Sequence, residues 1–537
     1  MPQRIFGVIL AQKSTSMIAS PEKPSNRKIA AGIIFLSATR LLNAFVALLS
    51  LVLIARRFGA NVETDVFFMA QLIPTIVGNL GKVVVNVSFI PAFTEALHEE
   101  TEEKAWRFAS NSLNMFLVGT IALSGLYLGL AGTGLKALTF FGVSRVQGVT
   151  SDFMFFTLLI LPIIVLNPVF GVWESISFSK KEYVLCGIAS LFVGTCEMLS
   201  IILFSDRFGL KVVVLGISLG YLLQLLVILP KFWDKRKYFG PSLSLRYPRT
   251  NRIFTLMLPA LYGVCLSQIM VAADWFLAST LGEGRVTALI CATRLAYFVP
   301  GFFAVSAIIP LLGKFSEFIV QKDDEGLKGI MLQIVRLIFL MIAPFCVWIA
   351  ITSGQLTQFL YARGKFSAEA TEMVRSMLFF MAPAIFFLCV STVFRQVLLP
   401  MRRIRFVLAE GTSFVLLHIL LSVILMRYMD VVGIAAGTSI AAAYDTAVLI
   451  YYFRREKGGF AARGTILFFS KILFASSIMG IGIWMLSSSF GRLFAQGGDA
   501  RQFIYILSNA SVAGLLYLTL AALVGALNLR QLFKMVG

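Results

Sequence analysis

The stretch IAAGIIFLSATRLLNAFVALLSLVLI (residues 29–54) carries a single charge, Arg40, in 26 residues. As a helix rising 1.5 Å per residue it exceeds the ~30 Å hydrocarbon core of a bilayer. Backbone in lipid must satisfy its own polar groups, which leaves helices or closed barrels. A barrel would show short alternating segments, and this run is continuous. No small-residue cleavage site follows, and the run is too long for a signal-peptide core, so it reads as a retained first span. The polar, basic residues 1–28 ahead of it read as a cytoplasmic tail.

The same pattern recurs along the whole chain. Apolar residues make up 58% of the 537 residues and charged residues 14%, against roughly 45–50% and about 25% in soluble domains. Length and charged boundaries give about fourteen spans, near 29–54, 66–92, 111–133, 153–177, 184–204, 210–230, 253–281, 286–312, 330–360, 373–399, 404–426, 431–453, 466–488 and 503–526. The expected fold is an all-α polytopic membrane protein.

Charge placement orients it. With the N-terminus inside, about 30 of the 47 Lys and Arg fall in cytoplasmic segments and about 13 outside, which places both termini in the cytoplasm. The net charge of +20 therefore lies in short loops; it is a topology signal and not a nucleic-acid face. The most basic loop, KFWDKRKYFGPSLSLRYPRTNR (231–252), follows six spans. A weak internal repeat supports a division there. FGANVETDVFFMAQLIP (58–74) with SFIPAF (88–93) resembles LGEGRVTALICATRLAYFVP (281–300) with AIIPLL (307–312), Pro91 matching Pro310. The expected organisation is a first lobe over 29–230, the basic loop 231–252, a second lobe over 253–453, and a final pair of helices with the tail over 454–537. Repeated halves around a central site are a transporter habit.

The six cysteines all fall in apolar stretches without C-x-x-C spacing, and only His98 and His418 are histidines, so neither a disulfide framework nor a histidine metal site is expected. There is no Walker loop, no H-E-x-x-H and no nucleophile elbow with triad support; an enzyme is not expected, nor a cofactor. The acidic run EALHEETEEKAWRF (95–108) reads as a solvated amphipathic helix.

Charge inside spans costs at least ~2.5–3.5 kcal/mol at a helix centre unless paired or solvated. Arg40, Lys82 and Arg294 come from the opening helices of the two repeated lobes, and three cations there suit a water-filled cavity holding an anionic group such as a phosphate. The bland alternative is snorkelling or structural pairing. Asp274 stands as a counter-ion to Arg294 or a cation ligand; Glu174, Glu197, Glu410 and Asp445 are further acids in spans. Pro74, with Gly78 and Gly81, interrupts the second span, and Pro300 with Gly301 the eighth. Bends at matching places suit alternating access, or are ordinary packing kinks. In the first loop, Gly59 ends one helix and Thr64 or Asp65 caps the next, with Asp65 pairing to Arg56 or Arg57 as an outer gate closes.

ARRFGANVETDVFFMAQLIP (55–74) followed by SFIPAF resembles the lipid II flippase family MurJ/MviN, of the multidrug/oligosaccharidyl-lipid/polysaccharide exporter superfamily. LYARGKFSAEAT (360–371) and ATRLAYFVPGFFAVSAIIPLL (292–312) are similar to a loop and the eighth helix of that family. The resemblance implies fourteen spans: two six-helix lobes and a final pair cradling a lipid tail. It matches Asp65 to the motif's Asp, Arg294 to a functional Arg of the eighth helix, and Arg40 to an Arg of the first. The chain departs from the pattern where Gly78 and Asn79 replace a basic pair and where Tyr297 replaces an acid. The implied function is translocation of a polyprenyl-diphosphate-linked saccharide, lipid II, to the outer leaflet. Arg40, Lys82 and Arg294 would hold the diphosphate, with membrane lipids and a coupling cation as further partners. An O-antigen or exopolysaccharide repeat-unit flippase, a drug or cation antiporter, and a membrane scaffold or integral glycosyltransferase are the competing readings.

Overall fold

A computed structural model describes residues 26–133, 149–244, 250–398, 401, 403–459, 462–495 and 498–526. The expected tail therefore lies outside the described residues up to position 25, as does 245–249 of the basic loop. Fourteen helical spans follow one another: α1 Asn26–Phe58, α2 Val62–Glu99, α3 Glu102–Thr133, α4 in two pieces Val149–Ile160 and Ile163–Ser179, α5 Val184–Phe208, α6 Leu210–Ile228, α7 Thr250–Leu281, α8 Arg285–Gln321, α9 Asp324–Leu360, α10 Ala368–Leu398, α11 Ile404–Met429, α12 Val432–Lys457, α13 Ala462–Ala495 and α14 Asp499–Leu523. Among the described residues, thirteen of them are long and apolar enough to cross a membrane, and α8 runs 37 residues.

The packing repeats with an offset of six helices. In the first lobe α1 packs on α5, α2 on α4, α3 on α4 and α5 on α6; in the second, α7 packs on α11, α8 on α10, α9 on α10 and α11 on α12. The lobes meet by exchanged contacts, α1 against α8 and α7 against α2. That exchange is what a two-fold relation between the halves requires. Helices α13 and α14 pack on each other and on α9. Their attachment is partly polar: the Tyr517 hydroxyl donates to the Leu340 carbonyl at 2.7 Å and Trp348 Nε1 donates to Asn509 at 3.1 Å.

Apolar cores divide unequally between the two ends of the bundle. One core draws on both lobes, with Ile54, Phe67 and Phe156 from the first and Val286, Cys291, Tyr361 and Val374 from the second. At the other end each lobe has its own. Phe89, Phe93, Trp106, Phe170 and Phe232 form the first lobe's core, and Phe315, Met331, Phe394 and Phe453 the second's. Among the described residues the lobes share one core at one end, the joined end, and keep separate cores at the other, which we call the basic end after the Lys- and Arg-rich 3₁₀ helix Leu229–Tyr238 it carries.

Three expectations change. The fourth span is broken at Leu161–Pro162, where the ring lacks the N–H that would continue the ladder. The acidic run 95–108 is not one solvated helix: α2 ends at Glu99, α3 begins at Glu102, and Trp106 is fully buried against Phe93 and Phe232. Helix α2 continues through Pro74, Gly78 and Gly81. The two glycines serve packing, since side chains there would run into Ile163 and Pro168 of α4. The helix carrying Pro300 is described, but its side chain and that of Pro310 lie outside the described set.

Candidate functional site

A cavity of about 760 Å³ lies between the lobes where α1, α7 and α8 converge. Its walls are mostly apolar, with Leu41, Leu48, Met270, Trp275 and Phe298, and its charges are Arg40, Arg294 and Asp274. Arg40 and Arg294 come from α1 and α8, the helices in exchanged contact, so the fold brings two of the three sequence-selected cations into one space. Neither forms an ion pair with a described residue, and both are exposed.

A second chamber of about 470 Å³ adjoins the first and shares Val271, Trp275, Ile290 and Arg294 with it. Its lining is mixed and more polar than the first: Asn43, Gln71, Asn79 and Gln268 supply amides, Tyr221 a hydroxyl, and Glu197 a carboxylate, among aliphatic and aromatic residues such as Leu51, Ile54 and Phe68. Asn43 Oδ1 and Gln71 Nε2 are buried without a protein partner. Such groups cost about 1–3 kcal/mol each when left unmet, so this chamber is built to be filled by water or a polar ligand. Arg294 stands at the junction of the apolar and the more polar space.

Lys82 does not line either space. Its Nζ lies 3.2 Å from Glu174 Oε2 and 4.6 Å from the centre of the Phe170 ring, inside the first lobe. Glu174 is almost fully buried and also accepts from Asn86 at 2.9 Å. Lys82 thus neutralises a buried carboxylate. Two other span acids share one cation that sequence reasoning passed over: Arg395 on α10 reaches Glu410 on α11 at 3.1 Å and Asp445 on α12 at 2.9 Å. Asp274, expected to face Arg294 or a cation, has His418 of α11 as its partner, Oδ1 lying 2.6 Å from Nε2.

The joined end corrects the reading of Asp65. Helix α2 is capped by Asn61, whose side chain accepts from the Thr64 N–H at 3.1 Å while the Thr64 hydroxyl accepts from the Asn61 N–H at 3.0 Å. Gly59 ends α1 at φ +83°, as expected. Asp65 is left free to serve the other lobe. Its carboxylate accepts the Gly284 N–H at 2.6 Å, the Thr287 N–H at 2.8 Å and the Thr287 hydroxyl at 2.6 Å. The N-cap residue of helix α8 is Gly284, which has no side chain to cap it. The carboxylate of α2 supplies that cap across the lobe boundary, with its charge favoured at the helix N-terminus.

The two arginines expected beside Asp65 go elsewhere. Arg56 donates to the carbonyls of Leu360 at 3.0 Å and Phe359 at 3.1 Å, and its own carbonyl accepts from the Lys365 N–H at 2.9 Å. Arg57 pairs with Asp206 at 2.9 Å within the first lobe. Backbone approaches backbone throughout this seam: a Cβ on Gly59 would lie 2.5 Å from the Lys365 carbonyl oxygen, and one on Gly284 2.7 Å from that of Ala60. Tyr361, fully buried here, donates to the Cys291 carbonyl at 3.3 Å, and burial pushes its phenol well above the usual range.

A family model described as "Lipid II flippase MurJ" matches residues 54–504. A probable lipid II flippase MurJ of Vibrio cholerae is 25% identical over 489 residues, covering 86% of this chain and 90% of its own. The lipid II flippase MurJ of Burkholderia cenocepacia is 26% identical over 355 residues, 64% of this chain and 67% of its own. Among solved structures, a lipid II flippase MurJ in an inward closed conformation superposes with a TM-score of 0.75 at 19% identity, covering 91% of this chain and 98% of its own. An inward-facing multidrug resistance MATE transporter of the MOP superfamily superposes at 0.64 and 14% identity, over 79% of this chain and 98% of its own. With the family model spanning most of its length, the chain belongs to the lipid II flippase MurJ family.

Proposed function

We propose that this protein carries a polyprenyl-diphosphate-linked saccharide, lipid II, from the cytoplasmic to the outer leaflet by alternating access. One observation carries the reading: Arg294 stands where an apolar cavity meets a more polar chamber. A lipid-linked saccharide has the same order of parts, an apolar chain, a doubly anionic linker and a polar headgroup. Arg294 and Arg40 hold the diphosphate by charge-assisted bonds, and the amides of Asn43, Gln71, Asn79 and Gln268 meet the headgroup. Lys82, committed to Glu174, takes no direct part. A cationic drug of the kind an antiporter of this fold would export is repelled by the same two arginines.

The Lys/Arg bias puts the basic end and both termini in the cytoplasm. The cavity then opens inward between the separate lobe cores, and the seam of Asp65, Arg56 and Gly284 is the closed outer gate. The test is complementation of a bacterium depleted of its own lipid II flippase. This chain should restore growth and the Arg294→Ala chain should not, at equal protein level, with labelled lipid II reaching the outer leaflet only in the former. Loss of one charge-assisted bond, about 1.5–3 kcal/mol, weakens binding roughly 10- to 150-fold. Arg294→Lys should rescue in part, because a point charge lacks the guanidinium fork. Full growth on the Arg294→Ala chain would refute the assignment.

A further inference from the structure

The carboxylates in the spans are answered in different ways. Glu174 has Lys82, Glu410 and Asp445 have Arg395, and Asp65 has a helix N-terminus. The partner of Asp274 is an imidazole. His418 is fully buried, Asp274 is 13% exposed, and Asp274 lines the cavity that holds Arg40 and Arg294. His418 Nδ1 is buried with no protein partner, and the near neighbour on its own helix is the Phe414 ring, 6.4 Å away centre to centre. With the ring neutral and Nε2 donating to Asp274, the pair carries one negative charge toward the cavity. With one more proton it carries none, whether that proton sits on the ring or on the carboxylate.

We propose that His418 and Asp274 form a one-proton site whose occupancy sets how strongly the neighbouring cavity holds a diphosphate. The proposal rests on the diphosphate reading above. Unprotonated, the pair's charge opposes Arg40 and Arg294 in attracting an anion; protonated, it leaves their charge unopposed. Diphosphate binding therefore tightens as pH falls, and by reciprocity binding the diphosphate draws a proton onto the pair. The proton reaches the site from the cavity through Asp274, which faces it, with His418 behind. Other charged or titratable groups on the surrounding helices are Glu410 on the same helix, tied with Asp445 of α12 to Arg395 of α10; Tyr297 on α8; and Glu197 on α5, which faces Arg294 from the polar chamber.

Two measurements on the full chain in lipid nanodiscs test this. The chain has two histidines, so a His98→Gln protein labelled with ¹⁵N-histidine reports His418 by itself. Its ring signals should move as the pH is lowered from 8 to 5.5, with no ligand present. Next, binding of geranylgeranyl diphosphate is compared at pH 8 and pH 5.5 in the parent, His418→Gln and Asp274→Asn proteins. The ligand's own titration is common to all three and cancels in the comparison. The parent should tighten at least about fivefold more than His418→Gln over this interval, and Asp274→Asn should bind tightly at both values. Ring signals that stay fixed, or a His418→Gln protein with the parent's pH dependence, would overturn the proposal. Failure of all three proteins to bind the diphosphate, with ring signals that do move, would instead overturn the diphosphate reading and with it the coupling.

Discussion

The two ends of the bundle hold their lobes by different chemistry. At the joined end, beside ion pairs such as Arg57–Asp206 that close within a lobe, several contacts cross the boundary and use groups of the other lobe: a carboxylate on bare helix N–H groups, a guanidinium on terminal carbonyls. At the basic end the described ion pairs close within each lobe, Lys231 with Glu182 and Lys235 with Glu102 in the first, Lys457 with Asp324 and Arg403 with Glu456 in the second. Parting the basic end leaves these pairs intact. Parting the joined end exposes unmet backbone groups until water or ligand replaces them. Opening the joined end therefore needs water or a ligand to replace the lost contacts.

Locking the joined end should have the largest effect. The hydroxyls of Thr64 and Thr287 lie 3.1 Å apart across the boundary, so a Thr64→Cys/Thr287→Cys protein places two sulfurs within bridging reach. Oxidation should abolish growth support and a reductant restore it. Undiminished activity with the bridge shown to be formed would mean that this end never has to open.

Lys82 sharpens the contrast between a cation that pairs and one that binds. Lys82→Ala strands the buried Glu174 carboxylate, a loss of about 3–5 kcal/mol. Protein level and thermal stability in detergent should fall, while Lys82→Met with Glu174→Leu recovers them, since removing both partners of a buried pair is often neutral. A Lys82→Ala protein that accumulates normally yet fails to transport would return Lys82 to the substrate site.

Asp65→Asn should be the mildest. The amide oxygen can keep both donors of Thr287, but the amide nitrogen then faces the Gly284 N–H. A loss of about 1–2 kcal/mol shifts the closed-to-open ratio roughly 5- to 30-fold. A cysteine at Ala60, beside Gly284 in the seam, should react with a membrane-impermeant thiol reagent faster by that factor. An unchanged rate would show that Asp65 does not hold the gate.

The sequence made the helices legible because lipid leaves the backbone little choice, and the repeat made the lobes legible because a similar pattern, with small gaps, recurs at 58–74 and 281–300. Partners were not legible. Asp65 reads as a local cap because Thr64 and Asp65 sit at the start of a helix, yet Asn61 takes that task and Asp65 reaches a helix start more than two hundred residues away. Lys82 and Arg294 look alike as lone cations in apolar runs; what separates them is that Glu174 lies at ion-pair distance from Lys82, and that is settled by how α4 lies on α2. The bare N-cap at Gly284 was a signal that could have been read, since a helix beginning on glycine without Ser, Thr, Asp or Asn needs its cap from elsewhere.

The close fit at Gly59 and Gly284 also constrains how this sequence can drift. At both positions the obstacle is a carbonyl oxygen, of Lys365 and of Ala60, and every residue type carries one. A second mutation in the facing lobe therefore has nothing to trim, and no compensating pair exists. Both glycines also sit at positive φ, +83° and +76°, where a Cβ is disfavoured in its own right. Asp65 differs, because what it supplies is an acceptor, and an Asn side chain keeps an oxygen for the two Thr287 donors. In a saturation-mutagenesis library selected for growth, the two glycines should tolerate no replacement, whereas position 65 should tolerate Asn.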